Sequence, residues 1–485
     1  MKIIKFLTIG LVLAFGFSAC SLDSTNYDDS DSGSAFTNLR SVQSGTTGVY
    51  YWTGHYAFLG NYAVSLGDFC AGVSAGSSSS GHFYALSSFA FSDTQAELSN
   101  VWNAGYKIIT NATRTINGAN HLIESGAIVE SEHPEAYAYI GQCYALKALA
   151  AYYLVNYYAL PYSSANASTP GILLVDEEVP SADQQVSRAT VQQTYDQIVK
   201  DITSAENAFD LAGTAGINAA TGGENAFYMT PMGLAGLKAR VYMALGQYEI
   251  AEEAAKEALD LKGATGDASD NVPSDADYLT MWTSLNESDE DLFTVKKSSE
   301  DNLSANALNT LYGSYYCTLQ NAALNMLGNK DIRRDLTHAG DKGGTTTAKY
   351  DGIATSATTS NIPVMRKSEM SLIIAECEAR AGHITQAQNY LFYTAKRDKS
   401  ITAPTDLPST TAELLEFISE ERIREFMGEG HRFIDARRMG DIVTMDGFNP
   451  WDIQKFVFPI PAGEINSGFG TTQNEGWSGN MPTRN

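Results

Sequence analysis

The sequence predicts a mostly α-helical protein in which helix pairs alternate with long irregular segments. Three observations carry that prediction. From Met229 to Leu261, Leu234, Leu237, Val241 and Leu245 recur at helical spacing, Gly246 interrupts them, and Ile250, Ala254, Ala258 and Leu259 resume the pattern. From Met370 to Arg397 the same order returns, with Gly382 and Ala387 standing five apart as Gly246 and Ala251 do. Between such stretches lie segments rich in Gly, Ser, Thr and Asn with embedded aromatics, at residues 60–92, 212–227, 263–304 and 339–361. Loops this long are uncommon in a compact protein unless they form a binding surface or stay disordered; the aromatics favour binding.

In chain order, Lys2 and Lys5 precede an apolar run from Phe6 to Phe17 and small residues up to Cys20, the arrangement of an export signal. The run is too short to span a bilayer, which takes ~20 apolar residues. Ser18-Ala19-Cys20 resembles a bacterial lipobox, with Phe17 where many carry leucine. Residues 1–19 therefore read as a lipoprotein signal peptide and Cys20 as the lipidation site, with an ordinary cleaved signal as the alternative. Acyl chains, at ~0.8 kcal/mol per buried methylene, would hold the protein at a membrane without a spanning helix. Residues 20–40 include Asp23, Asp28, Asp29 and Asp31. This stretch cannot bury enough apolar area to offset its ordering entropy and reads as a flexible acidic tether, similar also to the surface-export signal of Bacteroidota lipoproteins. Residues 41–485 are expected to form one domain.

Four helix pairs are expected within it, at roughly 134–209, 229–261, 363–398 and 412–440. Small residues at Ala239, Ala251 and Ala258 let two helices approach closely. The glycine turn and the alanine pattern resemble a tetratricopeptide repeat, although a long insertion between the two clearest copies rules out a simple tandem array. Stacked pairs of this kind bury a continuous core.

The balance of 56 acidic to 32 basic residues gives a formal charge of −24. Nucleic acid, whose binding rests on Lys and Arg neutralising phosphates, is excluded as a partner, and polyanionic glycans are disfavoured. Cys70, Cys143, Cys317 and Cys377 allow at most two disulfides, show no metal spacing, and are expected as packed free thiols. No cofactor or metal site is expected. The seven histidines lack zinc spacing, and the acidic stretch Asp270–Asp277 reads as solvated.

Enzyme readings are weak. Gly72-Val-Ser-Ala-Gly76 fits the G-x-S-x-G pattern with Ser74 as nucleophile, but that motif needs a helix after it, and Ser77–Gly81 reads as a loop. Glu177-Glu178 and Glu252-Glu253 are adjacent residues and cannot straddle a cleft as glycoside hydrolysis requires.

Several stretches together are similar to the SusD/RagB family of Bacteroidota nutrient-binding lipoproteins. After Cys20 come Trp102, Tyr106, Ile109 and Asn111 in "VWNAGYKIITNATRTI", then "ALKALAAYYLVNYYALP" and "SRATVQQTYDQIVKDITSAE". The stretches "PVMRKSEMSLIIAECEARAG", "ISEERIREFMGEGHRFIDARRMGD" and "FPIPAGEINSGFGTTQNEGW" follow in the family's order. The resemblance implies a SusD-like fold, with four tetratricopeptide-like pairs packed against an irregular half. It implies a non-catalytic, surface-exposed outer-membrane lipoprotein that delivers oligosaccharide or polysaccharide to a SusC-like TonB-dependent transporter. A RagB-like peptide receptor and a protein-binding scaffold are the alternatives. Glu420, Glu421, Arg422, Arg424, Arg437 and Arg438 of the C-terminal signature are expected as helix-surface and interhelix pairs.

Sugars present flat apolar faces edged by hydroxyls, so a glycan site needs exposed aromatics with a few polar partners. In the family the site lies on loops before the Trp102-type helix and between the second and third repeats. By region, the candidates are Asp68, His82, Phe83 and Tyr84, then Trp282, Tyr312, Tyr315 and Tyr316, with Trp102 added from the family helix although its spacing suits the core. Phe83 and Trp282 have core readings too. Trp52, His55 and Tyr56 form a weaker group.

Overall fold

The protein is described by a computed structural model over residues 35–180, 184–270 and 274–485. The expected signal peptide, Cys20 and most of the tether lie outside the described residues. The expected tether ends early, because α1 (Leu39–Thr53) begins within it. Asn38 accepts from the Ser41 amide at 3.0 Å while the Ser41 hydroxyl accepts from the Asn38 amide at 3.2 Å, a reciprocal cap.

The first half of the chain is a helical layer. The sequence runs through α2 (Tyr62–Phe69), one turn of α3 (Tyr84–Ser87), α4 (Ala96–Glu124), α5 (His133–Tyr158) and α6 (Val191–Thr221). In α4 the buried residues Leu98, Val101, Trp102, Gly105, Ile108, Ile109, Ala112, Ile116 and Ala119 form one stripe. Helix α5 is buried nearly all round because α1, α4 and α6 pack against it. A Cβ on Gly105 would stand 2.8 Å from the Leu154 side chain, so the absence of a side chain there lets α4 and α5 meet.

Two helix pairs follow, α7 (Pro231–Ala244) with α8 (Tyr248–Lys262), and, after a long insertion, α12 (Lys367–Arg380) with α13 (Ile384–Ala395). Gly246 and Gly382, which mark the turns in the sequence, have φ of +70° and +81°, the left-handed conformation that favours glycine. Helix α12 also packs on α8 and on α14 (Thr411–Phe426), which turns through Gly428 and Gly430 into α15 (Arg432–Met439).

The insertion carries short α9 (Asp275–Thr280), α10 (Leu308–Tyr312) and α11 (Asn321–Leu324), while α16 (Ala462–Ile465) lies near the C-terminus. Sheet is sparse among the described residues. Strands β1 (Ser74–Ala75), β3 (Thr318–Leu319), β4 (Thr337–Ala339) and β5 (Thr345–Thr347) form one small sheet in the order β1-β3-β5-β4. Strands β2 (Asp291–Val295) and β6 (Ile362–Arg366) pair antiparallel, as do β7 (Ile442–Val443) and β8 (Trp451–Asp452). The fold is mostly helical, as expected from the sequence.

The C-terminal charges form the expected interhelix pairs, but most of them are buried rather than on the helix surface. Glu420 and Arg438 are partly exposed, and Arg424 bonds Glu420 and Glu421 of its own helix. Glu421 meets Arg333 at 2.8 Å, Arg422 meets Asp435 at 2.7 Å, and Arg438 meets Glu376 at 2.8 Å. Arg437 donates to the Asn156 and Ala159 carbonyls at the end of α5. At the centre, Arg366 is bound by Glu290, Glu425 and Glu429, tying β6 to α14 and to the residue before β2. Signature residues that read as helix-surface or interhelix pairs in one dimension are mostly a buried interhelix seam in three. Beside that seam, a cavity of about 20 Å³ among Arg240, Glu369, Arg422, His431 and Asp435 has room for about one water, which excludes it as a ligand site.

Candidate ligand-binding site

Five of the sequence-selected residues are buried and cannot serve as platforms. Trp102 packs edge-on against Tyr158 at 5.0 Å and its indole N–H donates to Glu464 at 3.2 Å. Trp282 lies with Tyr278 and Leu336 in a separate apolar cluster, where the Lys349 ammonium sits 4.7 Å over its ring. Phe83 stacks obliquely on Phe69 at 4.8 Å, and Tyr312 shares a 2.8 Å hydrogen bond with Ser74. Asp68 is 1% exposed among Tyr157, Tyr312, Tyr350 and Lys349. The core readings of Trp102, Phe83 and Trp282 are the ones the fold adopts, whereas the partners that bury Asp68 and Tyr312 come from distant segments. Ser74, bound to Tyr312 and fully buried on β1, is not a nucleophile elbow.

The other four reach the surface, and two of them meet. His82 and Tyr315 stack face to face, 3.7 Å between centroids and 8° between planes. The β1–β3 pairing brings their loops together, and the Ser80 hydroxyl donates to the Tyr315 carbonyl at 2.7 Å. The residues just after the pair, Phe83 and Tyr316, have φ of +51° and +60°. Bulky side chains rarely adopt that conformation, and it costs ~1–3 kcal/mol each. The loops hold the stack at the expense of local strain. Tyr84 is 46% exposed, and the Lys342 ammonium lies 5.5 Å over the Tyr316 ring.

From this stack an aromatic row extends towards the end of α1. Tyr62, at the start of α2, is half-buried; burial, the Glu97 carboxylate, Tyr56 and Tyr315 push its hydroxyl up to about 12. Tyr62 contacts Tyr56 at 5.3 Å, Tyr56 contacts His55 at 4.3 Å, and His55 contacts Trp52 at 4.8 Å. Tyr51, 58% exposed, closes on the edge of Trp52. The exposed Lys107 of α4 places its ammonium 3.8 Å over the Trp52 ring. The group ranked weaker from sequence is thus part of the surface, and Tyr62 is an addition. The available signal was the density of aromatics from Tyr50 to Tyr62.

This surface offers aromatic faces and edges with ammonium, imidazole, phenol and carboxylate groups around them. Such an arrangement can grip an apolar-faced, hydroxyl-edged ligand. It contains no nucleophile with its base. Among the described residues, no three His, Cys, Asp or Glu side chains are grouped to hold a metal ion.

Two family descriptions match the sequence. The SusD family description covers residues 341–477, and one described as starch-binding, associating with the outer membrane, covers residues 26–212. The chain belongs to the SusD/RagB family. No sequence among curated proteins matches it. Solved structures do. A proposed sugar-binding protein from Bacteroides vulgatus is 23% identical over 91% of this chain and 99% of its own, with a TM-score of 0.80. A SusD superfamily protein from Bacteroides thetaiotaomicron is 22% identical over 90% and 99%, with a TM-score of 0.76. Surface glycan-binding protein A from Bacteroides fluxus is 20% identical over 90% and 98%, with a TM-score of 0.67. Within the SusD/RagB frame, Trp52, His55, Tyr62, His82 and Lys107 fall in the first matched segment. Tyr315 and Tyr316 fall in the stretch matched by neither.

Proposed function

We propose that this SusD/RagB protein is a non-catalytic receptor that captures an oligosaccharide or polysaccharide at the outer membrane and passes it to a SusC-like TonB-dependent transporter. The observation that carries the reading is the partly exposed aromatic row that runs from Trp52, at the end of α1, to the His82–Tyr315 stack on its strained loops. Stacking on such faces suits pyranose rings, and the polar rim suits their hydroxyls. The starch-binding family description and the sugar- and glycan-binding structural neighbours support the same ligand class. The same description supports an outer-membrane location. Among the described residues no helix is long and apolar enough to cross a membrane, and in this reading attachment is through a lipid on Cys20.

The test is native affinity electrophoresis of the full chain in mild detergent, through gels containing plant, microbial and host polysaccharides. Retardation in at least one gel, abolished in Tyr315→Ala and Trp52→Ala, is the expected result. Trp282→Ala belongs in the series as the contrasting case, since it should lower stability through lost packing. Retention by no polymer, with binding to peptides instead, refutes the glycan reading. For delivery, the expected result is co-purification with an outer-membrane TonB-dependent barrel. For the anchor, Cys20→Ala is expected to leave the membrane fraction.

A further inference from the structure

The net charge of −24 disfavours an acidic ligand, but charge at the site is arranged locally. Many carboxylates are spent inside the protein, around Arg333, Arg366 and Arg397. At the Trp52 end of the aromatic row the pattern reverses. Lys107 is exposed, and its ammonium contacts the Trp52 ring; among the described residues it has no carboxylate partner. The charges sensed by His55, next to Trp52, are both positive: after burial, Lys107 and then Lys297 push its imidazole down. Lys297 is itself bound to Asp301 at 3.1 Å. The carboxylate sensed along this row is Glu97, beside Tyr62 and held by the Gln95 amide.

We infer that the Trp52–His55–Lys107 end of the site is a subsite for the acidic group of a glycan, a carboxylate or sulfate carried on a sugar that stacks along the row. This rests on the glycan reading of the site and narrows it to acidic polymers. An ammonium over an indole face is held only by a weak cation–π contact, so it is free to turn to an incoming anion. An anion there would sit beside Trp52 and His55 while the ring bearing it runs towards Tyr56 and Tyr62. Lys107 is thereby assigned the role of specificity residue.

The experiment is a concentration series of affinity gels with the full chain and three polymers: polygalacturonate, dextran sulfate and dextran. Binding of one acidic polymer at least tenfold tighter than dextran is expected, and which of the two binds separates carboxylate from sulfate. Lys107→Ala should lose about tenfold of that affinity and Lys107→Arg should keep it. Lys396→Ala, the same charge change elsewhere, should bind as wild type. Unchanged acidic binding in Lys107→Ala, or preference for a neutral polymer, overturns the inference and leaves the receptor reading standing. Retardation by no polymer here or in the wider panel overturns both.

Discussion

Replacing Asp68 by asparagine should make the protein more stable at pH 8 and change little at pH 4. Asp68 lies on α2, completely enclosed, and neither carboxylate oxygen has a hydrogen-bond partner among the described residues. The Gly430 and Gly428 amides approach it without reaching hydrogen-bonding geometry, and Lys349 favours its charge while Glu429 opposes it. Burial dominates and pushes the carboxyl up from 3.8 to about 7. Between those values the folded protein holds a proton that the unfolded chain has lost, so stability falls as pH rises through this window. About three pH decades at about 1.4 kcal/mol each put the full cost near ~4 kcal/mol above pH 7. Asparagine keeps the shape and cannot ionise, so it escapes that cost.

The assay is urea denaturation of wild type and Asp68→Asn from pH 4.5 to 8.5. The stability difference should be small at the acid end and grow by a few kcal/mol in favour of the variant across the window. A difference independent of pH, or a variant less stable than wild type at pH 8, would refute the argument. Either result would mean that the carboxylate is ionised and well solvated in the folded state.

The buried seam gives the opposite sign. Burial alone would raise Glu425, but Arg397, Arg366, Arg333 and Lys349 hold it well below the usual carboxylate range. Glu425→Gln should cost ~3–5 kcal/mol near neutral pH by leaving buried arginines uncompensated. The gap measured by urea denaturation should close as acid protonates the wild-type group, below the ordinary value of 4.5. The cysteines supply a separate check. Cys70, Cys143, Cys317 and Cys377 are buried free thiols, and burial pushes Cys143 and Cys317 up to about 12. The chain from Ser21 onward should be inert to 5,5′-dithiobis(2-nitrobenzoate) when native and release four equivalents once unfolded.

Helices were readable because their signals are local. Gly246 and Gly382 mark turns wherever they stand, and the apolar recurrences around them need no distant information. The site was less legible. Trp282 reads equally as platform and as core in the sequence, and the Lys349 ammonium over its ring belongs to a segment far along the chain. Conversely, Trp52 and Tyr56 rank only as a weaker site group in the sequence, and Tyr62 does not stand out, until the fold brings them into one partly exposed row. His82 and Tyr315 were each selected, but nothing in either segment announces the other. The acidic composition says little about the site, because a total charge does not distinguish carboxylates locked around arginines from those that face a ligand.

The stack of His82 on Tyr315 also constrains anyone wishing to redirect this protein to a new cargo. Its two rings belong to loops fastened by the β1–β3 register and by the Ser80–Tyr315 bond, and each loop pays for its shape with a left-handed aromatic residue. Grafting one loop from a relative would import strain without the contact that offsets it. The exchangeable module is both segments together, residues 74–84 and 312–319, and a chimera that moves only one should fold with that corner undone.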